Sequence, residues 1–370
     1  MNGPDPYHDP AAVRALAETI RREAARLRDP VTIMEVCGSH THAIARAGLR
    51  SVLPENLRLI SGPGCPVCVT PVDWLDRAVA LARREDVILA TFGDLMRVPS
   101  SGPTLEAVRS EGAPVEIVYS PRDALELARA HPDRRVVFLA VGFETTAPTI
   151  AAALVEAERE GLPNFSILPG NKTMPRPMEL IAADPGIGVD GFLLPGHVSV
   201  ITGSDCFGFL AAEYGLPGTV VGFTPVDVLR GVLEIVRQRL RGQARVVNLY
   251  GRVVTPGGNA AARRLLEQVF VPAPATWRGL GEIPDSGLDP APAWSHRDAR
   301  TLEVDLPEPR EPEGCRCGEV LKGLIDPPQC PLFDTVCTPE DPVGACMVSS
   351  EGSCAAWHRH ERLAAAGRPA

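Results

Sequence analysis

The chain has 370 residues, 45% of them hydrophobic and 22% charged, with a formal net charge of −9. That is enough apolar material for two or three packed domains, and the acidic balance argues against a nucleic-acid partner, which wants a basic face. No apolar run approaches the roughly 18 residues of a membrane-spanning helix, and MNGPDPYHDPAAVRALAET at the start lacks a secretion-signal layout, so a cytoplasmic protein is expected. The first predicted element is a helix over 10–28, where Leu16, Ile20 and Leu27 share one face opposite Arg and Glu. Eight short apolar runs follow: VTIMEV (31–36), LRLIS (57–61), VILATF (87–92), VEIVYS (115–120), RVVFLAVGF (135–143), FSILP (165–169), GFLLPG (191–196) and TVVGF (219–223). They are rich in Val and Ile and mostly do not alternate, as in strands covered on both faces. Helical stretches separate several of them, which predicts an α/β protein with two doubly wound parallel-sheet lobes. The expected division is an N-terminal helix in 1–30, lobe I in 31–120, lobe II in 121–245, and a Pro-rich connection with a cysteine-rich domain in 246–370. TPVDWLDRAVAL (70–81) and TPVDVLRGVLEI (224–235) both read as helix starts with Thr, Pro and Asp in cap positions. Residues 272–312 hold eight prolines and predict a long irregular connection.

Polar or thiol motifs follow six of the apolar runs. They are Cys37-Gly-Ser-His40-Thr-His42, GPGCPVC, Gly93-Asp94, Glu144-Thr-Thr, Asn171-Lys172 and His197-Val-Ser199. Ligands of open α/β sheets bind beyond the carboxyl ends of the strands, so a shared functional crevice is expected, with Glu144 and His197 among its members.

Ten cysteines in a reducing compartment point to metal or redox chemistry rather than structural disulfides. Cys206 reads as a small core hydrophobe. Cys37, His40 and His42 suit a soft or borderline metal, or a nucleophile with its base. Cys65 and Cys68 in CPVC permit a chelate or a short-loop disulfide; a zinc ribbon would need a second Cys-x-x-Cys pair, and the sequence has none. Six thiols (Cys315, Cys317, Cys330, Cys337, Cys346, Cys354) lie within the 40 residues 315–354, without a histidine among them. A structural zinc or an iron–sulfur cluster both fit, and spacing alone does not choose four ligands of six.

MEVCGSHTHAI, GPGCPVCVTP, VGFETTAPT, NKTMP, PGHVSVITG and GACMVSSEGSC, in this order, resemble the HypD family of hydrogenase formation proteins, from about residue 8 to about residue 360. The resemblance implies two α/β lobes plus a smaller, irregular domain with a [4Fe–4S] cluster. It implies a small HypC-type partner, a HypE-type cyanide donor, and assembly of the Fe(CN)2(CO) unit of nickel–iron hydrogenases. It assigns Cys37 as a ligand of that iron, supported by His40, and Cys65 with Cys68 as a redox-active dithiol. The family's cluster spacing is met by Cys317, Cys330, Cys337 and Cys354, with Cys346 close enough to substitute for the last of them. On that basis the cluster feeds electrons through the dithiol to chemistry at Cys37. The alternatives are a stand-alone iron–sulfur thiol–disulfide oxidoreductase and a zinc-stabilised small-molecule enzyme.

Overall fold

The computed structural model describes residues 9–362; residues 1–8 and 363–370, the outer ends of the expected first and last segments, lie outside the description. Nine parallel strands form two sheets. They are β1 (Val31–Glu35), β2 (Leu57–Ser61), β3 (Val87–Thr91), β4 (Val115–Ile117), β5 (Arg135–Gly142), β6 (Phe165–Asn171), β7 (Gly191–Pro195), β8 (Gly218–Val221) and β9 (Val246–Asn248). One sheet has the order β2-β1-β7-β8-β9 and the other β4-β3-β5-β6. All pairs in both are parallel. The chain is thus α/β with two doubly wound parallel sheets, as the non-alternating apolar runs predict.

The expected boundary near residue 120 does not follow the sheets. β1 and β2 from the first third join β7–β9, and β3–β6 form a complete sheet inserted between them. The apolar content of a strand says that it is covered on both faces. It does not say which strand lies beside it, because that choice depends on long-range packing.

Alternate residues feed different cores. In the five-stranded sheet, Ile33, Leu59, Leu193 and Val221 face the helices Pro10–Ala24 and Pro225–Leu240. Met34, Ile60, Phe192, Leu194 and Val220 face the opposite way, into a core shared with Val87, Leu89, Val137, Leu139 and Leu168 of the other sheet. Val136, Phe138, Ala140, Phe165 and Ile167 supply a third core behind the four-stranded sheet. Burial on both faces accounts for the lack of alternation.

The Pro-rich stretch is more ordered than expected. β10 (Phe270–Trp277) and β11 (Gly281–Pro290) form a two-stranded antiparallel ribbon with an irregularity between Ala273 and Ala275. In a two-stranded ribbon a proline can turn its missing N–H away from the ladder, and β11 meets the end of β6 through a bridge between Gly287 and Lys172 and the Thr173 N–H to Ser286 carbonyl bond. Trp277 is fully buried, and its indole N–H donates to Ser286 Oγ at 2.8 Å. No helix among the described residues is long and apolar enough to cross a membrane.

Candidate functional site

Each sheet has a point where strand order reverses, between β1 and β7 in one and between β3 and β5 in the other. Such points open a crevice beyond the carboxyl ends of the strands. Cys37 stands at the first. It is the N-cap of the helix Gly38–Arg46, and the backbone N–H groups of Ser39 and His40 lie toward its sulfur without closing a cap hydrogen bond. Those donors favour a thiolate, but burial outweighs them, and with the carboxylates of Glu351 and Glu35 it pushes the thiol up to about 12. Cys37 is therefore a protonated thiol at neutral pH until a cation displaces its proton.

Glu35 is buried directly beneath. Its Oε2 accepts from the Cys37 backbone N–H at 3.2 Å and its Oε1 from Thr41 Oγ1 at 2.5 Å. Burial raises this carboxyl to about 7 against those hydrogen bonds and the Arg50 charge. Arg50 donates to Ser61 Oγ at 3.2 Å and pairs with Glu361 at 2.7 Å.

His40 lies one helical turn from Cys37 and is fully buried. Its Nε2 donates to the Gly222 carbonyl at 3.0 Å and the Val221 carbonyl at 3.3 Å, which fixes the proton on Nε2 because carbonyls only accept. Burial lowers it to about 4, so the ring is neutral. Its Nδ1 is buried without a hydrogen-bond partner. His40 and His197 both stack on Phe223, with ring centroids 4.6 and 3.9 Å away. His197 follows β7, and its Nδ1 lies 3.5 Å from Ser39 Oγ.

His42 does not join this set. Two residues on from His40, it points to another helix face, where its ring meets His360 edge-on at 5.1 Å. Glu351 completes the site instead. Ser39 Oγ donates to its carboxylate at 2.6 Å, and a Cβ on Gly38 would lie 2.5 Å from Glu351 Cβ. Sequence reasoning missed Glu351, Glu35 and Phe223. Glu351 sits inside SSEGSC, where the cysteines drew the attention, and Phe223 and Glu35 look like ordinary strand-end residues.

Gly64 brings the CPVC loop to Cys37. The Gly38 N–H donates to the Gly64 carbonyl at 2.8 Å, and a Cβ on Gly64 would lie 2.3 Å from the Cys37 nitrogen. Cys65 and Cys68 are buried and joined as a disulfide. On its far side, Cys68 Sγ lies 3.9 Å from the carbonyl of Ala345, the neighbour of Cys346.

All six cysteines of 315–354 line one small cavity, together with Val320, Leu332, Phe333 and Met347. Cys317 and Cys346 Sγ are 2.6 Å apart. Cys317 is held well below the usual thiol range by donors from Cys315 and Cys346 and by the Arg278 charge, while Cys346 is raised well above it. The donors are thiols only, in an apolar cradle, which suits soft-metal or iron–sulfur ligation. Among the described residues, no three His, Cys, Asp or Glu side chains are set as a single-ion site. Cys206 lies outside the cavity, half-buried against the main core.

Glu144 occupies the second crevice rather than the first. One oxygen accepts from the Met174 N–H at 3.0 Å, and Oε2 is buried without a partner. Burial raises the carboxyl to about 7 from 4.5. A folded-state pKa above the unfolded one favours the protonated folded form. Stability is therefore lost as pH rises from 4.5 through 7, by on the order of 3 kcal/mol. Glu144→Gln is expected to melt like the native chain at pH 5 and several degrees higher at pH 8. Thermal melts at both values measure it. Nearby, Lys172 Nζ lies 5.7 Å over the Trp277 ring, and burial lowers that amine to about 8.

A family model described as "HypD: Hydrogenase formation hypA family" matches residues 11–361. The chain is 45% identical over 366 residues to the hydrogenase maturation factor HypD of Azotobacter vinelandii, covering 97% of this chain and 96% of that one. It is 44% identical over 368 residues to the factor of the same name from Escherichia coli (strain K12), covering 97% and 98%. A similar match, 45% over 364 residues, is found with the Rhodobacter capsulatus factor, covering 96% and 97%. The chain belongs to the HypD family, and its role lies in the maturation of hydrogenases.

Proposed function

We propose that this chain is the scaffold on which, with a HypC-type partner, the Fe(CN)2(CO) unit of a nickel–iron hydrogenase is assembled, its cyanide coming from a HypE-type donor. The observation that carries the reading is the order of three thiol sets. Cys37 abuts the loop of Cys65 and Cys68 through Gly64, and that loop abuts the six-cysteine cavity through Ala345. The iron unit is cargo, and Cys37 supplies one thiolate to it. That thiolate forms as iron displaces the proton, and the Ser39 and His40 N–H groups hold its charge. The neutral His40 ring and Phe223 keep water away from one side; His197, Ser39 and Glu351 leave polar groups on the open side.

Cys317, Cys330, Cys337 and Cys354 would hold the [4Fe–4S] cluster, with Cys346 as the competing fourth thiol. When bound, such a cluster supplies single electrons. Two electrons from a low-potential external donor, with two protons, convert the Cys65–Cys68 disulfide to two thiols. Those thiols are then the reductant beside Cys37.

Anaerobic isolation with the partner, followed by infrared and iron analysis, tests the reading. The expected result is nitrile and carbonyl bands with roughly five irons per chain, four of them in the cluster. Roughly four irons without those bands would instead favour a stand-alone thiol–disulfide oxidoreductase. Cys65→Ala is expected to abolish the bands; their persistence would remove the dithiol from the pathway.

A further inference from the structure

Arg278 is a buried cation that the assembly chemistry above does not use. It follows Trp277 at the end of β10, and its side chain is 3% exposed. Its backbone N–H donates to the Val69 carbonyl at 2.9 Å and its Nε–H to the Thr70 carbonyl at 2.9 Å. Both carbonyls belong to the loop that leaves Cys68. The next residue, Gly279, packs on the backbone beside Cys317: a Cβ on Gly279 would lie 2.4 Å from Gly318 Cα, and its φ is +81°. Only glycine permits both that approach and that backbone angle. Arg278 and Gly279 together thus fasten the dithiol loop to the backbone beside Cys317.

The charge of Arg278 is incompletely answered. Among the described residues its one carboxylate partner is Glu311, at 2.7 Å from Nη1, and the Glu311 side chain is 58% exposed, so water screens that end of the pair. Its Nη2 is buried with no hydrogen-bond partner among the described residues. Burying a guanidinium with an idle donor is costly, and a negative charge close by offsets that cost. The adjoining six-cysteine cavity is where such a charge would arise once thiolate-ligated iron is bound, because Gly279, the next residue, packs on Gly318 beside Cys317.

We propose that Arg278 is a positioning residue that makes the six-cysteine site easier to reduce and holds it in register with the Cys65–Cys68 loop. A one-electron reduction breaks no bond and adds one negative charge to thiolate-ligated iron. A fixed, poorly screened positive charge beside Cys317 stabilises the reduced form. The electron comes from the same low-potential external donor, and the two backbone carbonyl bonds keep the acceptor loop at a constant distance. The inference rests on the cluster reading above.

The test is a redox titration of the anaerobically reconstituted full chain, followed by electron paramagnetic resonance, with iron and sulfide counted on each sample. Arg278→Met is expected to weaken reduction at least tenfold, a fall of about 59 mV per tenfold for one electron. Glu311→Gln removes the opposing charge at an exposed position that does not threaten the fold, so the midpoint is expected to move upward. Arg278→Lys keeps the charge and should recover most of the loss. A purely structural Arg278 would lower iron content in Arg278→Met without moving the midpoint of the remaining cluster, and that result overturns the proposal. An unmoved or lowered midpoint in Glu311→Gln overturns it as well, whether or not Arg278→Met holds a cluster. Absence of any cluster signal in the native chain would instead defeat the cluster reading itself.

Discussion

Cys37→Ser is expected to give a folded protein that captures no iron unit: no nitrile or carbonyl bands after co-purification with the partner, and hydrogenase maturation below detection. The two halves of that expectation have separate physical grounds. Serine is among the best N-cap residues, and the Ser39 and His40 N–H groups that now face sulfur would find an oxygen acceptor. The melting temperature should match the native value or exceed it slightly. A serine hydroxyl, in contrast, does not ionise near neutral pH and is a poor ligand for low-spin iron. Even loss of a group that only orients a ligand typically costs 10–100-fold in metal affinity, so loss of the thiolate should cost more than about 100-fold. Full bands in a well-folded Cys37→Ser complex would rule out Cys37 as the iron ligand.

Cys337→Ser is expected to have the second large effect, loss of the cluster's four irons and of its brown absorption. Cys337 lines the cavity beside Cys330 and Cys354, and its Sγ accepts from the Val343 N–H at 3.3 Å. With the cluster gone, the loops that carry Cys330 and Cys337 lose their common anchor, while Val320, Leu321, Ala345 and Met347 stay buried in the main core. The 315–354 segment remains tied by Arg58–Asp326, by Arg97 to the carbonyls of Pro339 and Glu340, and by Ser349 Oγ to Asp94 at 3.2 Å. Limited proteolysis should therefore cut within 315–354 while the two sheets resist. Cys315→Ser and Cys346→Ser are expected to keep four irons. If Cys346→Ser loses them and Cys354→Ser keeps them, Cys346 is the fourth ligand.

What could be read in the sequence was local. Eight of the nine parallel strands lie where the Val- and Ile-rich runs fall, because burial on both faces leaves a continuous apolar trace. β9 (Val246–Asn248) is three residues long and only half-buried, too short to leave one. The ribbon β10–β11 was hidden by prolines that a central strand would not tolerate. Cys37, His40 and His197 were visible as unusual residues at strand ends, and the fold gathers them through one strand reversal. His42 is set apart from Cys37 and His40 because Gly38–Arg46 is a helix, on which residues two positions apart face different ways. Glu351 could not be placed at all, since it reaches Ser39 across 312 positions of chain. Sheet membership was lost for the same reason: an insertion between β2 and β7 leaves no mark in the apolar pattern of either flank.

That insertion also sets the order of events during synthesis. The β1–β7 seam joins residues 158 positions apart, as the Thr32 N–H to Asp190 bond shows. The nascent five-stranded sheet has no central partner until β7 has emerged, whereas β3–β6 emerge together and can pair first. Long-range parallel pairing of this kind is slow. The Cys37 pocket is consequently among the last features to form, with its Phe223 wall and Glu351 rim supplied later still. An incomplete chain emerging from the ribosome would present Cys37 as a bare thiol without those neighbours, so the iron loading proposed for it would await chain completion.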